Sequence, residues 1–165
     1  MATPRITDLI LHQASHVLEV AFEDGLRFRL PCEYLRVESP SAEVQGHGPG
    51  QKVLVAGKRD VNIRAIEPVG HYGVLLRFDD GHDTGIFSWS LLHQLGREHD
   101  ARWPAYVAAL EAAERSGGDI RGRLTIREVS REVVFRVQPS TCRQPGVTCP
   151  ILAAGTLDRH DFGMH

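Results

Sequence analysis

The chain has 165 residues, 42% hydrophobic and 24% charged, with 19 Lys and Arg against 21 Asp and Glu for a net charge of −2. That suits one globular domain with room for an appendage and excludes a disordered or collagenous chain. So weak a field excludes electrostatic capture of nucleic acid or an anionic membrane, and no run of about 18 apolar residues spans a bilayer.

The first predicted strand is Ile6 to His12. His16 to Phe22 alternates Val17, Glu19 and Ala21 against Leu18, Val20 and Phe22, a strand with one better-buried face. Glu23-Asp24-Gly25 turns the chain, and Leu26 to Leu30 returns with Leu26, Phe28 and Leu30 on one side and Arg27 and Arg29 on the other. Pro31 suits the first turn of a helix, and Cys32 to Arg36 reads as a short helix or turn. Residues 39–58 hold four Gly and two Pro with few large apolar side chains, and read as a mobile loop. Loops of that length are usually functional or disordered.

Val61 to Val69 resumes strand character and leads to the stretch that organises the chain, residues 67–95. There Gly73 to Phe78 is a strand, Asp80-Gly81 a hairpin turn that needs the positive φ glycine tolerates, and Ile86-Phe87 the returning strand. From Ser88 the period changes: Trp89, Leu92, Leu95, then Trp103, Tyr106, Val107, Leu110 and Ala113 recur at three and four. That predicts two helices, Ser88–Gly96 and Arg102–Ser116. Ser88 or Ser90 would cap the first and Asp100 the second, with Gly117-Gly118 ending the second. No internal repeat is evident. The fold class expected is α+β, a small mostly antiparallel sheet with C-terminal helices packed on it. The body is residues 1–117. Residues 118–165 form an extension: Leu124 to Gln138 has strand propensity, and the remainder is polar and proline-containing. It reads either as partly ordered chain or as a strand covering a sheet edge.

The chemistry-bearing residues gather at the central turn. Asp79, Asp80, His82 and Asp83 offer carboxylates for a hard cation and an imidazole for zinc or iron. Alternate side chains diverge, so one turn supplies two ligands at most. The plainer reading is a solvated acidic turn bonding its own backbone. His47, in Gly46-His47-Gly48, and His71 lie in loops that could approach His82, although lone loop histidines are more often merely exposed. Cys142 and Cys149 have six residues between them and lack zinc-ribbon spacing. With Cys32 they make an odd number of cysteines behind an N-terminus with no signal peptide, which fits a reducing cytoplasm. There is no P-loop, no GxSxG elbow, no GxGxxG and no His-x-Asp pair for an iron triad. Trp89 and Trp103 keep the apolar helical period and read as core.

The segments LEVAFEDG, LPCEYLRVESPSAEVQGHG, IEPVGHYGVLLRFDDGHDTGIFSW and LLHQLG, in that order, resemble the DUF971 family, small bacterial proteins similar to the N-terminal domain of gamma-butyrobetaine hydroxylase. The resemblance covers about residues 5–115. It implies a small α+β domain with a mostly antiparallel sheet. In the hydroxylases this domain precedes an iron(II)/2-oxoglutarate catalytic domain, which has no counterpart here, so the hydroxylase activity does not carry over. The resemblance also implies a zinc site of three cysteines and one histidine. The histidine matches His82, but the cysteine positions fall around Ser39, Ser41 and Val44. Similar domains occur fused to P-loop proteins of iron–sulfur cluster assembly, which implies an accessory role near metal-cofactor delivery.

Two functions follow. The first is a non-catalytic binding or adaptor module, contacting a partner through residues 39–58 and the Asp79–Asp83 turn. The partner would be an iron–sulfur assembly protein or a metalloenzyme, with zinc or iron as the metal. The second is a small metal-dependent enzyme using His82 and Asp80 with His47 or His71.

Overall fold

A computed structural model describes residues 4–48, 50–116, 119–126, 129–137 and 153–155. The fold is α+β, and the chain divides into two compact units. One comprises residues 1–52 and 57–103, the other residues 53–56 and 104–165.

The first unit is built from two short meanders. β1 (Ile6–His12), β2 (Val17–Phe22) and β3 (Arg27–Pro31) form one antiparallel sheet in that order, and β4 (Ile63–Val69), β5 (Gly73–Phe78) and β6 (Ile86–Ser88) form another. Each meander runs straight into a helix, α1 (Cys32–Val37) after the first and α3 (Trp89–Ser116) after the second. A short helix, α2 (Ala42–Gln45), lies between the two. The alternation read in β2 holds: Leu18, Val20 and Phe22 are buried. Their counterparts Val74, Leu76 and Phe78 are buried in β5, and both sets meet Leu30, Tyr34, Leu35, Phe87, Leu92 and Leu95 in one core. Each such side chain contributes about 1.5–3 kcal/mol of burial. Trp89 and Trp103 pack against the edge of that core, as their spacing predicted.

The two meanders are copies of each other, a repeat the sequence did not disclose. Phe22-Glu23-Asp24-Gly25 and Phe78-Asp79-Asp80-Gly81 close the same three-residue turn. Gly25 N–H bonds Phe22 O as Gly81 N–H bonds Phe78 O, and Phe22 N–H bonds Leu26 O as Phe78 N–H bonds His82 O. The glycine is left-handed in both, φ +84° and +88°, as a glycine-bulge hairpin requires. Ile6 pairs with Phe22 as Ile63 pairs with Phe78, with a register shift directly after each. The helix starts match too: Cys32 N–H bonds His16 O, and Trp89 N–H bonds Tyr72 O. The copies also grip one another. Asp24 meets His93 at 2.8 Å, and Asp80 meets Arg36 at 2.9 Å. Arg36 and His93 are each the fifth residue of their helix, counted from Cys32 and Trp89. So the turn of each copy pairs with the helix of the other.

Two of these elements depart from the sequence reading. Part of the 39–58 stretch is helical, because Ser41 caps α2 by accepting from Glu43 N–H at 3.3 Å. The two predicted helices are one. Gly96 does not end a helix but lets α3 approach the ring of Phe28, where a Cβ would overlap it. Gln94–Glu98 and Glu98–Arg102 contacts of 3.0 and 2.6 Å carry the helix across the expected break. Pro104 sits within the helix and, having no N–H, cannot give the i→i−4 bond to the Asp100 carbonyl.

In the second unit, β7 (Asp119–Ile126) pairs antiparallel with β8 (Val129–Val137), and β8 with β9 (Ala153–Ala154). The strand propensity read from Leu124 covers the end of β7 and all of β8. Val55 makes an isolated parallel bridge to Arg121, and its carbonyl accepts from Tyr106 Oη at 2.8 Å. Cys142, Cys149 and Gly117-Gly118 lie outside the described residues.

Candidate functional site

The Asp80–His82 turn is covered by the chain that leaves α1. That helix ends at Glu38, whose buried carboxylate is held by Lys52 at 2.7 Å and Arg102 at 3.0 Å. Ser39 and Ser41 follow, both buried, and α2 begins. The Gln45 amide folds back to donate to Ser39 O at 2.8 Å, which closes residues 39–45 into a compact unit.

His82 receives this segment. The residue is only 1% exposed, with Nε2 2.8 Å from Ser39 Oγ and Nδ1 2.9 Å from Glu43 Oε2. An ionised carboxylate only accepts, so Nδ1 carries the proton and Nε2 accepts from the Ser39 hydroxyl. Beside it Ser41 Oγ and Thr84 Oγ1 share a bond of 2.7 Å. Gly85 comes so close that a Cβ there would overlap Ser39 Oγ. Burial, then the charge of Arg36, holds the imidazole below its usual pKa despite the Glu43 bond, so it is neutral near pH 7.

Asp80 braces the turn from the other side. Its Oδ1 accepts from His82 N–H at 3.2 Å, and its Oδ2 takes Arg36 Nε at 2.9 Å and Lys58 Nζ at 2.6 Å. Burial alone would raise its carboxyl; the Lys58 bond and the two cations outweigh that, and the net displacement is downward. Arg36 is itself buried, and its Nη1 has no hydrogen-bond partner among the described residues.

Asp80 and His82 are thus together, but the rest of the predicted cluster disperses. Asp79 accepts from Asn62 N–H, and Asp83 pairs with Arg77 at 3.0 Å. His47 is exposed, with its backbone N–H on the Gln51 side chain. His71 is exposed and contributes its carbonyl to Trp89 Nε1. Cys32 is buried, and burial pushes its thiol up to about 11. Among the described residues, no three His, Cys, Asp or Glu side chains converge as a metal-binding group. The family resemblance places Ser39 and Ser41 near His82, as observed; Glu43, Arg36 and Lys58 were not foreseen in its setting. The Ser41-Ala42-Glu43 cap signal was available in the sequence; nothing local links it to a histidine 41 positions on.

Hydroxyl, imidazole and carboxylate stand in the order that activates a nucleophilic serine. Ser39 is 0% exposed, so a substrate carbonyl has no approach to its Oγ. The arrangement fastens two pieces of backbone together. No helix among the described residues is long and apolar enough to cross a membrane.

Residues 9–93 match the family model described as Gamma-butyrobetaine hydroxylase-like, N-terminal, and residues 100–165 match a YceI-like domain. No curated protein matches the chain. A protein solved by NMR in solution is 53% identical, with 67% of this chain and 83% of that one covered and a TM-score of 0.60. A second NMR structure is 43% identical over 68% and 88%, also at 0.60. A crystal structure of a DUF971-family protein of unknown function from Acidithiobacillus ferrooxidans is 40% identical over 56% and 92%, with a TM-score of 0.47.

Proposed function

The chain belongs to the gamma-butyrobetaine hydroxylase-like N-terminal family, and on that premise we propose that it is a non-catalytic binding module, an adaptor for an iron–sulfur assembly protein or a metalloenzyme. The observation that carries this reading is the inward use of the polar residues. His82 and Thr84 bond Ser39, Glu43 and Ser41 of residues 39–45, and Asp80 and Arg36 brace the turn that carries them. A reaction centre keeps such groups open to substrate; a scaffold closes them and presents what lies outside. Here that outer face carries Ala42, Glu43 and His47, all exposed. The choice of partner class rests on domain company, since similar domains accompany P-loop proteins of cluster assembly. The competing enzyme, built on the Asp79–Asp83 turn, needs at least three convergent ligands and an open position, and no observation favours it.

The test is capture with tagged full-length protein and quantitative mass spectrometry, wild type beside an Ala42→Lys/His47→Asp double variant. Both positions are exposed, so the variant should melt with the wild type. A metal-cofactor protein recovered by the wild type and lost by the variant supports the adaptor. Equal recovery by both, or turnover of a small molecule by the purified protein, overturns it.

A further inference from the structure

We infer that Ser39, His82 and Glu43 form a metal-independent clamp, in which hydrogen bonds fix residues 39–45 at the position where the family resemblance implies a zinc site. The inference goes beyond the adaptor reading and stands without it.

The residues present do not fit a zinc ion. Two hydroxyls and a valine occupy the positions implied for cysteine, so the soft thiolate donors that favour zinc are missing. The imidazole has no spare lone pair: Nδ1 is protonated towards Glu43, and Nε2 accepts from Ser39. The spacing is also wrong. Two ligands on one tetrahedral zinc at bonds of about 2.0–2.1 Å lie about 3.3 Å apart, whereas Ser39 Oγ and His82 Nε2 are 2.8 Å apart. That separation is an O–H···N hydrogen bond. The packing leaves no slack, since Gly85 already abuts Ser39 Oγ.

The internal repeat isolates what the clamp adds. Leu26 is the counterpart of His82, because each follows the turn glycine and returns its carbonyl to the turn phenylalanine. Each also gives its N–H to the turn aspartate, Leu26 to Asp24 and His82 to Asp80. Leu26 is 40% exposed. The hairpin therefore closes without an imidazole at that position. What the first copy lacks is a segment to hold. His82 is at this position to bind residues 39–45, and the bonds to Ser39 and Glu43 are the means.

The experiment uses full-length protein without a histidine tag. It combines elemental analysis, melting with and without EDTA, and hydrogen exchange at the amides of residues 41–46 in wild type, Ser39→Ala and Glu43→Ala. The Glu43 side chain is 35% exposed, against full burial of Ser39, so its variant keeps the fold even if Ser39→Ala does not. The expected results are negligible zinc or iron, a melting point unmoved by EDTA, and exchange accelerated at least about fivefold, the factor one lost hydrogen bond is worth. Stoichiometric metal whose removal lowers the melting point, or unchanged exchange in the folded variants, overturns the clamp. Neither outcome bears on partner capture.

Discussion

The repeat allows one substitution to be made twice in equivalent settings, Asp80→Asn and Asp24→Asn. At Asp80 the change replaces Oδ2 with an amide that points its hydrogens at Arg36 Nε and Lys58 Nζ. The side chains of Arg36, Lys58 and Asp80 are 7%, 14% and 17% exposed, so two enclosed cations lose their anion. Removing one partner of a buried pair costs about 3–5 kcal/mol. The lower end applies because Lys58 can turn outward, and Asn keeps an oxygen for His82 N–H. For a domain of this size about 3 kcal/mol lowers Tm by roughly 12–24 °C. At Asp24 the partner is His93 and the carboxylate is half-buried, 31% exposed, so the same change should move the midpoint by a small fraction of that. Urea unfolding followed by tryptophan fluorescence reads the comparison, because Trp89 and Trp103 both belong to the first unit. Equal losses at the two positions would refute the argument from burial.

Gly85→Ala should cost about 1–3 kcal/mol, the usual penalty of overpacking, since its Cβ overlaps Ser39 Oγ; a melt matching wild type would show that the segment yields freely. Gly81→Ala and Gly25→Ala should each cost about 1 kcal/mol. Both glycines have positive φ with nothing within 4 Å of a built Cβ, so the cost is backbone strain alone, and urea midpoints that differ between them would contradict it. Stability should also fall in mild acid. The His82 pKa is lowered on folding from 6.5, so the unfolded chain binds the extra proton. The contribution is complete above about pH 6.5 and is lost progressively as pH falls below it. His82→Gln should flatten the difference between melts at about pH 7.5 and pH 5, and an undiminished difference would place the titration elsewhere.

Local signals in the sequence located most of the first unit. Alternation fixed the buried face of β2, Asp80-Gly81 fixed the second turn, and the three-four spacing of Trp89, Leu92 and Leu95 fixed the face of α3. What escaped depended on partners remote in sequence. Gly96 resembles a helix end until Phe28 is seen against it. The repeat escaped because the two turns share only Phe, Asp and Gly, and the second carries an extra residue before β6. His82 was singled out, but its partners lie 43 and 39 residues earlier, and no local pattern reports a bond over that distance. The acidic turn looked solvated because its aspartates are adjacent in sequence. Their side chains diverge, and only Asp80 turns inward.

The position of the candidate site follows from where the copies stop matching. Two β-β-β-helix units that bury the same alternating residues and exchange Asp–His and Asp–Arg contacts complete a core by themselves. Residues 38–62, between the copies, are not needed for that core apart from Val61. They nevertheless contribute buried Ser39, Ser41 and Val44 and hold Glu38 and Asp80 through Lys52 and Lys58. A connection that only had to join Val37 to β4 would not bury two serines and a carboxylate, because each buried polar group must be matched by a bond. Here each is matched, to His82, Thr84, Lys52 or Arg102. The fixed shape of residues 39–45 is therefore the property these bonds maintain, and the exposed side of that segment is where recognition by this chain should be sought.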